Sequence, residues 1–170
     1  FAAFAAAGAE ARAVGGAVRN SLLGLPVADI DLALNRPPEF AETCLQQAGF
    51  KTVRTGFEHG TITAVVAGQG YEVTSLRRDV ATDGRRATVA YSDDWAEDAA
   101  RRDFTVNALY ADATGQLYDF HGGLADLAAR HIRFIGDPAQ RLAEDVLRIL
   151  RFFRFHAHYG RGAPDAAGLA

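Results

Sequence analysis

With 170 residues, 49% apolar and 23% charged, the chain can bury the core of one domain, or of one domain and the start of a second, and its composition excludes disorder. A formal net charge of −3 gives no global attraction to nucleic acid, so any such partner must be held by local clusters. The apolar runs fall far short of the ~20 residues of a membrane span, and the lone Cys44 rules out a disulfide framework or a cysteine-based zinc cluster. No basic leader, apolar segment and cleavage site occur together at the start, which argues against secretion and makes the reducing cytoplasm the expected compartment. A start at Phe1 and the lack of methionine lead to the expectation of a piece of a longer product. The cations are 17 Arg and one Lys, Lys51. Codon bias and a need for forked donors that grip phosphates and bases both account for that excess.

In chain order, the alanine-rich stretch from Phe1 to Arg12 reads as a helix. Gly15-Gly16 breaks it ahead of a short helix, Ala17 to Leu23. Asp29 to Leu34 alternates as a strand. Pro37-Pro38 opens a helix that ends near Gly49. Strands follow at Lys51–Arg54, Thr61–Val66 and Tyr71–Leu76, the last two joined by a hairpin turn over Ala67-Gly68-Gln69-Gly70. Arg77 to Tyr91 shows no period and reads as a mobile loop. After Ser92 a helix carries the i,i+4 pairs Glu97/Arg101 and Asp98/Arg102. A further element over Phe104–Ala111, a strand at Gln116–Asp119, a turn at Gly122-Gly123, a helix to Arg130 and a strand at His131–Ile135 come next. Asp137-Pro138, with Gln140 at the capping-box position, starts a helix expected to run to about His158. From Gly160 the composition is that of a linker.

Four segments carry chemistry. On a strand, Asp29 and Asp31 point to one face, and two close carboxylates are unfavourable unless a cation such as Mg²⁺ lies between them. Taken alone, the same spacing suits an exposed strand or a turn. Gly15-Gly16 lets an anion approach the backbone at a helix start, with Arg19 supplying a guanidinium. No Gly-Lys-Ser/Thr follows, so this is not a Walker A loop, and a dinucleotide fingerprint fits poorly. Arg101-Arg102-Asp103-Phe104-Thr105-Val106-Asn107 gathers two cations, a carboxylate and an amide suited to the sugar and phosphates of a nucleotide. On the last helix, at about 100° per residue, Leu142, Val146, Ile149, Leu150 and Phe153 form an apolar stripe. Glu144, Asp145, Arg148, Arg151 and Arg154 lie opposite. Asp145 and Arg148 are then surface neighbours. A carboxylate acceptor beside a guanidinium donor complements the base edges of cytosine and adenine, and mismatches guanine and uracil.

Taken together, Val14-Gly15-Gly16-Ala17-Val18-Arg19, Asp29-Ile30-Asp31, Arg101 through Ala108 and Glu144-Asp145-Val146-Leu147-Arg148 resemble, in order, the motifs of the class II nucleotidyltransferases. These are the CCA-adding tRNA nucleotidyltransferases and bacterial poly(A) polymerases of the DNA polymerase β superfamily. The resemblance spans about residues 14–158 and implies an α+β fold. A catalytic head with a mixed β-sheet and flanking helices would cover 1–136, and the start of a helical, nucleotide-selecting neck 137–170. The family's body and tail, which hold tRNA, would be absent.

The resemblance further implies Asp29 and Asp31 as Mg²⁺ ligands, with Glu72 a candidate third carboxylate. Gly15, Gly16 and Arg19 would lie at the triphosphate, and Arg102 and Asp103 at the sugar-phosphate. Asp145 and Arg148 would be the template for C and A, with Arg151 and Arg154 extending the nucleotide contacts. The implied reaction is two-metal phosphoryl transfer that adds CCA to the 3′ end of tRNA from CTP and ATP, releasing pyrophosphate. The loop 77–91 would lie near the site. His59-Gly60-Thr61-Ile62-Thr63 and Glu72 through Arg77 are similar to the CCA-adding branch. An ATP-only poly(A) polymerase and a non-catalytic nucleotide- or RNA-binding fragment are the alternatives. Asn20 stands where the family usually has Asp, which is expected to weaken the orientation of Arg19. No membrane partner is expected, and no motif dictates an oligomeric state.

Overall fold

The computed structural model describes residues 1–83 and 86–169. A seven-stranded mixed sheet organises them, with strand order β3-β4-β5-β2-β1-β8-β9. In chain order its strands are β1 (Ala11–Val14), β2 (Asp31–Leu34), β3 (Lys51–Gly56), β4 (Thr61–Val66), β5 (Gln69–Ser75), β8 (Leu109–Ala111) and β9 (Leu117–Asp119). Only β2 and β5 run parallel; every other neighbouring pair in this sheet is antiparallel. The helices are α1 (Ala2–Ala6), α2 (Gly16–Leu22), α3 (Pro38–Gln47), α4 (Trp95–Ala100), α5 (Gly123–Ala129), α6 (Pro138–Glu144), α7 (Leu147–Tyr159) and α8 (Ala166–Leu169). The mixed sheet with flanking helices matches the expected α+β class. None of the described helices is long and apolar enough to cross a membrane.

Strand alternation divides the core. Leu32 and Leu34 of β2 face a cluster with Phe4, Leu45, Ile62 and Val73 under α1 and α3. On the opposite face, Val14 and Ala33 pack with Leu76, Trp95 of α4 and Tyr110 of β8. A third cluster joins α5 and α7 to the segment after α4. There Phe104, wholly buried, meets Phe134 at 4.9 Å, Phe155 at 5.1 Å and Phe152 at 6.2 Å between ring centroids. Each such ring pair adds about 0.5–1.5 kcal/mol beyond its area burial. These aromatic contacts seat α7 beside the sheet.

Five expectations are corrected. The first helix stops at Ala6, and Ala11–Val14 is instead a central strand whose backbone is claimed by β2 on one side and β8 on the other. Arg12 of that strand is buried between the rings of Trp95 (3.9 Å) and Tyr118 (3.5 Å) and paired with Glu10. The stretch 77–91 forms an antiparallel hairpin, β6 (Arg77–Asp83) and β7 (Arg86–Tyr91), rather than a loop; Gly84 and Arg85 lie outside the described residues. Its pairing is made by backbone groups, which leave no trace in hydrophobic period. His131–Ile135 makes a single bridge, Phe104 to Phe134, not a strand. Asp29 and Ile30 precede β2 instead of belonging to it. Finally, the helix expected from Asp137 to His158 breaks at Asp145, which is extended (φ −155°, ψ 108°). Its Oδ1 accepts from the Leu147 amide at 2.9 Å, the local bond by which Asp competes with helix continuation.

Smaller differences follow the same logic. Gln140 donates to Glu144 (3.3 Å) instead of closing a capping box, although Asp137 does cap α6 through the Ala139 amide (3.1 Å). Glu97 accepts from Ser92 at 2.5 Å, so Arg101 pairs with Asp98 instead. The β4–β5 hairpin turns on two residues, Ala67 (φ 50°) and Gly68 (φ 82°), as its sequence suggests. On α7 the buried side is Phe152 and Phe155. The stripe Val146, Ile149, Leu150 and Phe153 faces outward, 43–69% exposed.

The start of α5 lies directly against the backbone. A Cβ on Gly123 would stand 2.3 Å from the Thr105 carbonyl oxygen, which the fold cannot move cheaply. Gly123→Ala is therefore expected to cost about 1–3 kcal/mol of stability, measured as a lower midpoint in urea unfolding with an unchanged m-value.

Candidate functional site

Sheet register assembles the site. β1 and β2 pair Val14 with Asp31, so the turn that leaves β1, Gly15-Gly16, begins beside the first residue of β2. β2 and β5 pair Leu32 with Val73, which sets Asp31 alongside Glu72. Gly15 adopts φ +68°, a left-handed conformation that glycine enters without the cost a side chain incurs. Its Cβ position lies 3.7 Å from Arg102 Nη1, so the turn and that guanidinium are already in contact distance.

Of the clefts that share Asp31, two gather the acidic and basic residues singled out from sequence. One, of about 420 Å³, is lined by Gly15, Gly16, Arg19, Arg102, Asp103, Asn107, Arg148 and Arg151 as well as Asp31. The other, of about 360 Å³, is lined by Asp29, Asp31 and Glu72 with Thr63 and Gly70. The first gathers four guanidinium groups, and each is held from behind. Arg19 donates to Asn20 Oδ1 (3.0 and 3.2 Å), to the Tyr159 hydroxyl (2.9 Å) and to Asn107 Oδ1. Burial holds the pKa of Arg19 below its ordinary value, yet an arginine stays charged throughout the physiological range. Asn20 thus holds Arg19 through a neutral amide oxygen, where a carboxylate would make an ion pair.

Arg102 is gripped through Nη2 (3.0 Å) and Nε (3.3 Å) by Asp98, which also accepts from Arg101 (2.9 Å) and from the Tyr110 hydroxyl (2.8 Å). Burial alone would raise the pKa of Asp98, but Arg102, Arg101 and the hydroxyl outweigh it and hold the group ionised. This grip takes one edge of the Arg102 guanidinium and leaves Nη1 facing the Gly15 turn. Arg151 places Nε (2.8 Å) and Nη2 (2.5 Å) on Asp103 Oδ2, while Asp103 Oδ1 accepts from the Phe104 amide (2.8 Å) and Asn107 (2.9 Å). Arg148 Nη1 donates to Glu144 Oε2 (2.6 Å) and to the Arg141 carbonyl (2.8 Å).

The carboxylate cleft is different. Among the described residues, the carboxyl groups of Asp29, Asp31 and Glu72 accept no hydrogen bond and join no ion pair. Desolvation, and then the charge of Asp29, push the pKa of Asp31 above the usual carboxylate range, with Arg102 opposing them. Acidic oxygens left unneutralised beside a cleft, while the arginines nearby are engaged elsewhere, form a donor set suited to a hard divalent cation. The carboxyls do not converge into a closed three-ligand cluster among the described residues. A cation there would keep open positions for water or substrate oxygens.

Of the residues singled out from sequence, Gly15, Gly16, Arg19, Asp31, Arg102, Asp103, Arg148 and Arg151 line the arginine cleft, and Asp29 and Glu72 line its neighbour. Two are not brought in. Asp145 sits at the helix break capping Leu147, not as a helical neighbour of Arg148, because α6 and α7 are separate helices. Arg154 is exposed and, among the described residues, lies over the Phe155 ring at 5.6 Å without an ion pair. Sequence reading missed Tyr159, which reaches Arg19 across 140 residues, and Arg141. No local signal marks either. It read Asp98 as half of a helical pair, but not as the buried anchor of three donors.

Comparison with known proteins finds relatives of the same fold. Residues 11–133 match the model of the poly A polymerase head domain. The chain is 46% identical over 157 residues to CCA tRNA nucleotidyltransferase 1, mitochondrial, of Danio rerio, covering 92% of this chain and 36% of that protein. It superposes on the Bacillus stearothermophilus CCA-adding enzyme in complex with CTP with a TM-score of 0.85, at 34% identity, over 98% of this chain and 39% of that one. It likewise superposes on a tRNA nucleotidyltransferase complexed with a primer tRNA and an incoming ATP analog, with a TM-score of 0.76 at 29% identity, over 97% and 46% of the two chains. The chain thus spans 36–46% of the length of these relatives. Matched by the head-domain model over most of its residues, and by such relatives over nearly all of them, the chain belongs to the poly A polymerase head domain family.

Proposed function

We propose that the chain supplies the catalytic head, residues 1–136, and the start of the neck, residues 137–170, of an enzyme that adds CCA to the 3′ end of tRNA from CTP and ATP. The observation that carries this reading is the meeting, at Asp31, of a cleft built for phosphates with a cleft of unneutralised carboxylates. Nucleotidyl transfer needs that adjacency: the triphosphate must lie on one side of the carboxylates and the attacking hydroxyl on the other. The relatives crystallised with CTP, and with a primer tRNA and an ATP analog, support these substrates. The cytoplasm is the proposed compartment.

In this reading Gly15 and Gly16 let the triphosphate approach the backbone, and Arg19 and Arg102 neutralise its oxygens with guanidinium edges that are already oriented. Asp98 and Asp103 act behind the contact, holding Arg102 and Arg151 in place. Asp29 and Asp31, with Glu72 as a third oxygen donor, would hold two Mg²⁺ ions, one supplying a lowered pKa at the primer 3′-hydroxyl and the other neutralising charge on the departing pyrophosphate. Arg148 lines the cleft and Asp145 lies at the adjoining helix break. Glu144 and the Arg141 carbonyl engage Arg148 through Nη1, so the rest of its fork can meet a base edge while those bonds hold the start of α7. The amino group and bare ring nitrogen of C and A would satisfy Asp145 and Arg148, whereas G and U would leave them unmatched. Arg154, exposed in this arrangement, has room to extend contacts along the RNA backbone.

Incubation of the full-length protein that contains this chain with tRNA lacking its 3′ end and CTP plus ATP is expected to add C, C and A; long A tails would identify an ATP-only poly(A) polymerase, and no incorporation a binding module. Asp31→Asn is expected to lower incorporation by at least ~100-fold. Because the folded pKa of Asp31 is raised, the folded state binds more protons than the unfolded one over that interval. Stability therefore falls as pH rises from the ordinary carboxylate value through the folded one, and the loss persists above it. Asp31→Asn should consequently raise the metal-free melting temperature at pH 7 and abolish any further rise on adding Mg²⁺; a variant less stable than the parent would contradict the carboxylate assignment. Arg148→Ala is expected to relax base choice more than it weakens triphosphate binding, and continued exclusion of GTP and UTP would show that Arg148 does not read the base.

A further inference from the structure

Arg141, on α6, makes four hydrogen bonds that use all three of its guanidinium nitrogens, and its side chain is only 12% exposed. Nε donates to the Ile135 carbonyl (3.0 Å) and Nη1 to Glu144 Oε2 (2.9 Å). Nη2 donates to the carbonyls of Arg102 (3.2 Å) and Ala100, which lie 39 and 41 residues earlier. The Ala100–Arg102 turn delivers Arg102 and Asp103 to the phosphate side of the cleft. Glu144 Oε2 also accepts from Arg148, and Arg148 donates back to the Arg141 carbonyl, so the same residue holds the start of α7 through both side chain and backbone. A helix-surface ion pair would need Glu144 alone. The bonds to three carbonyls, those of Ile135, Arg102 and Ala100, need the planar, forked donor array that arginine has and lysine lacks.

We propose that Arg141 is a positioning residue for the reaction: it ties the Arg102–Asp103 wall of the cleft to the Arg148–Arg151 helix and thereby sets the spacing between the phosphate site and the base site. The inference rests on the nucleotidyl-transfer reading. It predicts that the two walls lose their mutual register when this one side chain changes, although Arg141 itself does not line the cleft. The residues whose spacing it sets bind the ground state and transition state alike, so its loss falls chiefly on KM.

The test compares Arg141→Lys with Leu127→Ala, a buried substitution in the aromatic cluster that serves as a baseline for general destabilisation. With CTP and a primer tRNA, Arg141→Lys is expected to raise the nucleotide KM about 10- to 100-fold while kcat changes by less than about threefold. Leu127→Ala should leave the KM of its folded fraction unchanged. Hydrogen exchange is expected to show protection lost together at residues 100–103 and 147–150 in Arg141→Lys. A KM within about twofold of the parent value, or protection lost in one segment alone, would overturn the proposal. If the parent protein incorporates neither C nor A, the nucleotidyl-transfer reading fails, while the exchange experiment still decides whether Arg141 couples the two walls.

Discussion

Four guanidinium groups around one cleft repel each other, and the local structure is arranged to make that tolerable. At close range, like charges disfavour a shared site unless each is offset by its own partner. Here Asp98 backs Arg102, Asp103 backs Arg151, Glu144 backs Arg148, and the amides of Asn20 and Asn107 with the Tyr159 hydroxyl back Arg19. The amides matter at Arg19, since a fourth full carboxylate would lower the positive potential that an anion needs. The partners come from α2, α4, α6, α7 and the segment after α4, so the cleft exists only when these elements are docked together.

The sheet solves the complementary problem of gathering carboxylates without neutralising them. Asp31 and Glu72 become neighbours through the parallel pairing of β2 with β5, and Asp31 adjoins the glycine turn through the antiparallel pairing of β2 with β1. Two hydrogen-bonded registers thus fix the relation between the acidic and basic clefts. The acids stay apart from the arginines because those are already committed to other partners. Arg102, near both, moderates the raised pKa of Asp31 without forming an ion pair with it.

What was legible in the sequence is what short-range chemistry decides. The Gly15-Gly16 turn, the Pro-started α3, the Ala67-Gly68 hairpin and the Asp137 cap announce themselves because a few adjacent residues determine each. Residues 11–14 do not: alanine favours helix, and only the two flanking strands make this segment extended. Asp145 is the instructive failure. A continuous helical wheel gave a tidy polar face, but one side-chain bond to Leu147 divides the helix and changes which residues face inward. The apolar stripe identified from spacing is real, yet it points away from the head, and a second pair of apolar residues, Phe152 and Phe155, makes the contact. In the site, residue types and order were readable. The partners behind each arginine were not, because they lie as much as 140 residues away.

The choice of arginine throughout the cleft has a consequence for how its charge can be controlled. Guanidinium groups keep their proton at every pH in which the fold survives, and they are not substrates for the acetyl transfer that silences lysine. With Lys51 the one lysine in the sequence, placed at the start of β3, the electrostatic field over the cleft has no acetylation switch and no alkaline titration within reach. Its potential changes when an anion enters, when a cation joins the carboxylates, when Asp31 takes up a proton, or when a backing residue lets go. Occupancy, rather than covalent marking, sets the charge state of this site.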